Sequence, residues 1–459
     1  MHRKALDNLK TWLNSDTRKP LILRGARQVG KTWLVRALSE QTGKQLVELN
    51  LENQRQLAVH FESNDPAAIL LNLESALNVS INPDNTILFL DEIQATPELL
   101  AKLRWFYETL PELPVMAAGS LLEFALEKYE FSMPVGRISY MFIEPLDFEE
   151  FLLAKGEMHL LAGIENLTLE SPFNEALHQK ANHLFKEYLT VGGMPEAVSS
   201  WVRTNSLESL AETHHDLINT YKDDFSKYAG KLSIDYLEDV LNATPTLMTK
   251  KVKYNQISPT ARHASIKQAV RLLSKAKLCH IVQCTNANGI PLGAETNPKT
   301  FKMILIDVGL ASTLLDLRLY QFRTIDEIML INKGALAEQV AGQLLRLLAP
   351  FYVEPKLYYW NREAQSASAE IDYLIQNNHQ LVPVEVKAGS EGKLRSLHQF
   401  FYEKPQWKKA IRIYAGNANE TRIKTKTTSG HPVEYGLISL PFYLIGQIYR
   451  LLNGAPETI

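Results

Sequence analysis

Cysteine is almost missing from this chain: Cys279 and Cys284 are its only two in 459 residues. They form no C-x-x-C pair, so neither a zinc site nor a disulfide framework can be built from them. Two reduced thiols in a cytoplasmic protein are expected. Long apolar runs are also missing. No stretch approaches the roughly 18 apolar residues of a membrane span. The longest candidate, LISLPFYLIGQIY, is short and broken by Pro441. The first residues, MHRKALDNLKTWLNSDTRKP, carry charges throughout and lack the apolar centre of a signal peptide. A cytoplasmic location without a membrane partner is therefore the expectation. Strong net charge is absent too, the formal total being −2. That total hides local bias. Leu241 to Ala294 holds eight Lys/Arg and no Asp/Glu, and Glu391 to Gly430 holds nine Lys/Arg against three Asp/Glu. Such patches matter more than the total when the partner is a polyanion.

What is present begins with a phosphate-binding pattern. Leu21–Leu23 reads as a short buried strand. Gly25-Ala26-Arg27-Gln28-Val29-Gly30-Lys31-Thr32 follows, and then the helical WLVRALSEQ. This is G-x-x-x-x-G-K-[ST] in its required context of strand, loop and helix. The glycines let successive backbone N–H groups face phosphate oxygens, and the next helix adds its positive N-terminal end. Lys31 would reach the β- and γ-phosphates of ATP, and Thr32 would ligate Mg²⁺. A second apolar strand, Ile87–Leu90, ends in Asp91-Glu92. Its uniform apolarity suits a central parallel strand. Asp91 is placed to hold the Mg²⁺ shell and Glu92 to orient the attacking water. A third, Val115–Ala118, ends in Gly119-Ser120. Ser120 would adjoin Glu92 if these strands are neighbours, and could sense the γ-phosphate.

This combination resembles the AAA-type ATPases, specifically a prokaryotic family in which such a domain precedes a C-terminal domain of unknown function. The resemblance rests on GARQVGKT, LFLDEIQ, AAGSLLEF, PVGRISYMFIEPLDFEEF and YLTVGGMPEAV. It implies that Arg137 is a candidate arginine contact to a γ-phosphate, where it would stabilise transition-state charge. A structural ion pair is the competing reading of Arg137. Arginine contacts in this class are often supplied by a neighbouring subunit, so a homo-oligomer is among the implied partners.

From Asp147 to Gly230 apolar residues recur at spacings of three and four, as in helices. Gly192-Gly193 before Pro195 marks a turn between two of them. His214 and His215 are adjacent and would diverge on a helix, so a paired metal site is not expected and a solvated face is. Ala264–Leu278 reads as one helix, with Ile266, Val270 and Leu273 in an apolar stripe and Lys267, Arg271 and Lys275 in a basic one. CHIVQC, a loop and FKMILID follow. Helix, strand, loop, strand is the order of a winged helix. The basic stripe either meets the phosphates of DNA or RNA or is a solvated lysine face.

The last motif is a hairpin, AEIDYLIQNNHQLVPVEVKAG. Ile371–Gln376 and Leu381–Lys387 read as strands joined by Asn377–Gln380. That turn sets Gln376 opposite Leu381 and Asp372 opposite Glu385. Facing carboxylates repel unless a cation lies between them. A divalent metal there would polarise a phosphoryl oxygen and activate water, with Lys387 stabilising charge. Pro383 is expected to make the return strand irregular. The pattern resembles the PD-(D/E)xK nuclease core, which implies Asp372, Glu385 and Lys387 as site residues and Glu338 as the glutamate of an upstream helix. The competing reading is an exposed, salt-bridged hairpin.

The expected fold class is α/β: a P-loop NTPase parallel sheet, a helical lid, a winged-helix-like domain and a C-terminal α/β nuclease-like domain. The expected ranges are 1–146, 147–230, 231–330 and 331–459. The expected function is a Mg²⁺-dependent ATPase coupled to nucleic-acid binding or cleavage. The alternative is a nucleotide-switched signalling scaffold whose C-terminal domain binds partners without catalysis.

Overall fold

The computed structural model describes residues 2–128, 134–322, 333–362, 368–389 and 393–454. It divides into two compact units. The first comprises Met1–Glu144 with the short segments Lys275–Lys277 and Pro350–Glu354; the second comprises Pro145–Ser274, Leu278–Ala349 and Pro355–Ile459.

The first unit is built on five strands: β1 (Leu21–Arg24), β2 (Gln45–Asn50), β3 (Thr86–Asp91), β4 (Val115–Ala118) and β5 (Ser139–Phe142). Their order is β2-β3-β4-β1-β5, and every pairing is parallel. Ile22, Leu23, Leu88, Phe89, Met116 and Ala117 are completely buried, as expected for strands covered by helices on both faces. β1 lies between β4 and β5, so the order reverses there. Ligands of open α/β sheets bind at such a switch point, beyond the carboxyl ends of the strands. The phosphate loop leaves the carboxyl end of β1. Its entry requires Gly25, because a Cβ at that position would run into the Ile143 carbonyl.

The second unit starts with helices at Phe148–Ala154, Met158–Asn166, Glu175–Val191, Pro195–Thr204 and Leu207–Asp223, matching the helical periodicity. Asp147 caps the first through a reciprocal bond pair with Glu150. Gly192 (φ 76°) and Gly193 form the expected turn. The buried Asp307 carboxylate explains it. Asp307 accepts hydrogen bonds from the backbone N–H groups of Gly193 (2.6 Å), Gly309 (2.9 Å) and Leu310 (3.2 Å). A Cβ on Gly192 would collide with that carboxylate.

Eight strands form the second sheet: β6 (Cys279–Thr285), β7 (Thr296–Leu305), β8 (Leu357–Arg362), β9 (Ala369–Asn377), β10 (Gln380–Val386), β11 (Lys409–Tyr414), β12 (Asn419–Lys426) and β13 (Pro432–Pro441). Their order is β12-β13-β11-β10-β9-β8-β6-β7. The strands expected to belong to a separate winged helix are therefore part of the C-terminal sheet. β6 pairs in parallel with β8, and β7 takes the edge. Pairing satisfies the N–H and C=O groups that a free β6 edge would leave open. The boundary expected at residue 330 lies outside the described residues. The helix preceding β6 spans His263–Lys275, with Ile266, Val270 and Leu273 buried and Lys267 and Arg271 exposed.

The hairpin pairs Gln376 with Leu381 as expected, but Asn377 also pairs with Gln380. The connection is thus two residues, Asn378-His379, with Asn378 in the left-handed region (φ 51°). β10 is regular through Pro383, contrary to expectation. Pro383 pairs with Leu374 on β9, and the ladder to β11 starts one residue later at Val384, so the missing N–H interrupts neither.

His214 corrects the expected solvated face. It is completely buried. Nδ1 lies 3.0 Å from Thr313 Oγ1, and Nε2 lies 3.0 Å from the Val191 carbonyl. Burial pushes its pKa down to about 4. Among the described residues no helix is long and apolar enough to cross a membrane.

Candidate functional site

The first unit gathers its site at the carboxyl ends of β1, β3 and β4. Gly30 takes a left-handed conformation (φ 92°) and caps the helix Lys31–Thr42. Lys31 Nζ folds back onto the loop, donating to the carbonyls of Gly25 (3.1 Å) and Ala26 (2.6 Å). Burial lowers its pKa to about 8, opposed by the charges of Glu92, Asp91 and Glu123. Thr32 Oγ1 donates to Asp91 Oδ2 at 2.9 Å. The residues expected to share a Mg²⁺ ion are thus already in contact. Burial raises the Asp91 pKa to about 6 despite the Thr32 bond. A divalent cation would reverse that, because a local positive charge favours the carboxylate.

Glu92 follows Asp91 in the left-handed region (φ 52°), and its N–H donates to Asp91 Oδ1 at 3.1 Å. Its carboxylate accepts a 2.5 Å bond from Gln94 Nε2. β3 and β4 are neighbours, with Leu90 opposite Ala117, so Ser120 leaves the strand next to that of Glu92. Ser120 is buried and its Oγ has no hydrogen-bond partner. The loop, the Thr32–Asp91 contact and the orphaned hydroxyl fit a nucleoside triphosphate with Mg²⁺.

Arg137 is not part of this group. It lies just before Ser139, which pairs with Leu21 at the amino end of β1. Because the strands are parallel, Arg137 sits at the opposite edge of the sheet from the phosphate loop, roughly 10 Å or more away across β1. There Nε meets Glu108 Oε1 at 3.1 Å, and NH1 donates to the Val135 carbonyl at 3.3 Å. The ion-pair reading describes this conformation.

Residues 17–152 match the family model described as an AAA domain. The chain carries an AAA-type ATPase domain. Downstream of this ATPase domain, residues 182–321 match a Domain of unknown function (DUF8612), and residues 333–431 match a Domain of unknown function (DUF4143). No curated protein matches the chain. Among solved structures, the Aeropyrum pernix ORC1 protein in complex with DNA is similar at 13% identity and a TM-score of 0.28, covering 71% of this chain and 92% of that one. The Thermotoga maritima RuvB Holliday junction branch migration motor is similar at 14% identity and a TM-score of 0.28, covering 65% and 93%. At that score neither bears on function.

The second unit brings Glu338, Asp372, Glu385 and Lys387 into one cluster. Glu338, on the helix Lys333–Arg346, is buried. Asp372 is half-buried, with Oδ2 accepting from the Val386 N–H at 2.7 Å, where the ladder between β9 and β10 has just ended. Glu385 is 4% exposed. Its Oε1 accepts from Lys387 Nζ at 2.6 Å, while its Oε2 is buried without a partner. Burial and the neighbouring carboxylates raise Glu385 to about 8; burial and Asp372 raise Glu338 to about 7. The exposed salt-bridged hairpin is therefore not what forms.

Sequence reasoning missed the residue that organises this cluster. Lys302 on β7 is 1% exposed. Its Nζ meets Glu338 Oε1 at 2.9 Å and Glu370 Oε1 at 2.5 Å, and lies 5.2 Å from the centre of the Tyr359 ring. Burial opposes its charge, but Glu338, Asp372 and Glu370 outweigh that and raise its pKa. The available signal was a lone lysine within the apolar TFKMIL, and Glu370 two residues before Asp372 on the same strand face. Of the oxygens a metal would use, Glu338 Oε1 is held by Lys302, Asp372 Oδ2 by Val386 and Glu385 Oε1 by Lys387. Among the described residues no three His, Cys, Asp or Glu side chains converge to hold a metal ion. The expected Asp372–Glu385 metal site does not fit this arrangement, because the cluster carries its own cations.

Proposed function

We propose that the protein is a Mg²⁺-dependent ATPase whose nucleotide cycle controls nucleic-acid binding by its second unit. The observation that carries the ATP reading is the 2.9 Å bond between Thr32 and Asp91 beside the Lys31 loop. Mg²⁺ bound to Thr32 and Asp91 would neutralise charge developing on the phosphates. Lys31 would exchange its loop carbonyls for β- and γ-phosphate oxygens, Glu92 would orient water, and Ser120 would meet the γ-phosphate. An Arg137 that touched a nucleotide would have to reach that of another copy, as in a head-to-tail homo-oligomer.

The binding reading for DNA or RNA rests on the exposed Lys267 and Arg271. The C-terminal domain then acts as a nuclease-like binder without cleavage. The unpartnered Glu385 Oε2 favours a second reading, in which the cluster rearranges and cuts. One assay set separates the two. ATP turnover is measured for wild type and Lys31→Ala. Binding and cleavage of end-labelled single- and double-stranded DNA and RNA are measured with Mg²⁺ or Mn²⁺, with and without ATP, beside Lys387→Ala. ATP-dependent binding without cutting supports the proposal. Cutting lost in Lys387→Ala would establish the second reading. Binding of a protein partner with no nucleic-acid affinity would favour a signalling scaffold.

A further inference from the structure

We propose that Gln94 is a positioning residue for ATP hydrolysis, holding the Glu92 carboxylate in line with the end of β4. The inference rests on the ATPase reading and adds a residue to it. Glu92 is constrained on three sides. Its backbone sits in the left-handed region, which is strained for a residue with a Cβ. Its N–H is fixed by Asp91 Oδ1. Its Oε2 is held by Gln94 Nε2 at 2.5 Å. Of these, only the Gln94 bond sets where the carboxylate points.

An amide suits this place for two reasons. It is neutral, so it orients Glu92 without adding charge beside Asp91, Glu92 and Lys31. It also carries an acceptor next to its donor. Gln94 Oε1 is buried without a partner, as is Ser120 Oγ. The residue between the two is Gly119, where a Cβ would collide with Gln94 Oε1. Gln94 is therefore packed against the backbone that leads to Ser120. A buried acceptor left unsatisfied is unfavourable. Here the missing donor is one that arrives with the substrate, the water that attacks the γ-phosphate. Glu92 orients that water, and Gln94 takes no proton in the reaction.

Gln94→Met keeps the length and removes the bond to Glu92 together with the free acceptor. Gln94→Glu keeps the shape and places a like charge beside Glu92. Steady-state ATP turnover and the affinity for a fluorescent ATP analogue are measured on the full chain for both variants. Thermal unfolding serves as the control for folding. Loss of orientation predicts a kcat lower by about tenfold or more in Gln94→Met and lower still in Gln94→Glu. Analogue affinity is expected to stay within about twofold, because no phosphate contact is lost. A kcat in either folded variant within about twofold of wild type would overturn the role. So would equal losses of affinity and kcat, which mark a merely structural residue. A wild-type protein without ATP turnover would overturn the ATPase reading and this role with it.

Discussion

Lys302 Nζ and Glu338 Oε1 face each other at 2.9 Å inside the second unit, joining the edge strand β7 to the helix Lys333–Arg346. The pair continues to Glu370. Removing one partner of a buried ion pair strands the other charge, at about 3–5 kcal/mol. Lys302→Met is expected to destabilise the second unit by that amount, read as a lower urea midpoint. Adding Glu338→Gln should recover part of the loss. No change in the midpoint for Lys302→Met would mean that the pair holds nothing together.

Nucleotide binding is expected to show in stability as well as turnover. A ligand at a hundred times its Kd adds about 2.7 kcal/mol to the state that binds it. Mg-ATP at that excess should raise the unfolding midpoint of wild type and leave Lys31→Ala unmoved. A shift retained in Lys31→Ala would remove the phosphate loop from the binding site.

His214 gives the second unit an acid-labile point. Its folded-state pKa of about 4 lies below the ordinary 6.5. The unfolded chain therefore takes up a proton first as pH falls. The stability is fully present above pH 6.5 and drains away between 6.5 and 4, by about 3 kcal/mol. Denaturation profiles across that window should show the loss in wild type, and a correspondingly smaller one in His214→Gln. Parallel profiles would contradict this.

Gly192→Ala is expected to weaken the second unit by at least about 1–3 kcal/mol, because a left-handed backbone is combined with a collision at Asp307. Chemical denaturation checks this. An unchanged midpoint would show that the turn can move away from Asp307.

Polyanion binding through the His263–Lys275 helix makes a prediction in salt. If Lys267 and Arg271 each meet a phosphate, Lys267→Glu and Arg271→Glu should each lower the slope of log affinity against log salt by about one. Titrations of duplex DNA at several salt concentrations measure it. Slopes equal to that of wild type would assign the stripe to solvent.

The amino-acid sequence laid out the candidate phosphate site almost by itself. Residues 25–32 act through a continuous loop, and Asp91, Glu92 and Ser120 sit at the ends of uniformly apolar strands. Local order and strand burial were enough to align them. The pairing of Gln376 with Leu381 was legible for the same reason: a tight turn fixes its neighbours. Tertiary structure decided what depends on distant partners. It bonded β6 and β7 into the C-terminal sheet, where sequence order alone allowed a separate winged helix. It set Arg137 at the far edge of the first sheet, since strand direction rather than spacing fixes which end a residue occupies. It buried His214 between Thr313 and Val191, and it brought Lys302 to Glu338 and Glu370. A charge deep in a protein is stable only beside its counter-charge. The sequence named Glu338, Asp372 and Glu385, and only the folded chain added Glu370 and the lysine between it and Glu338.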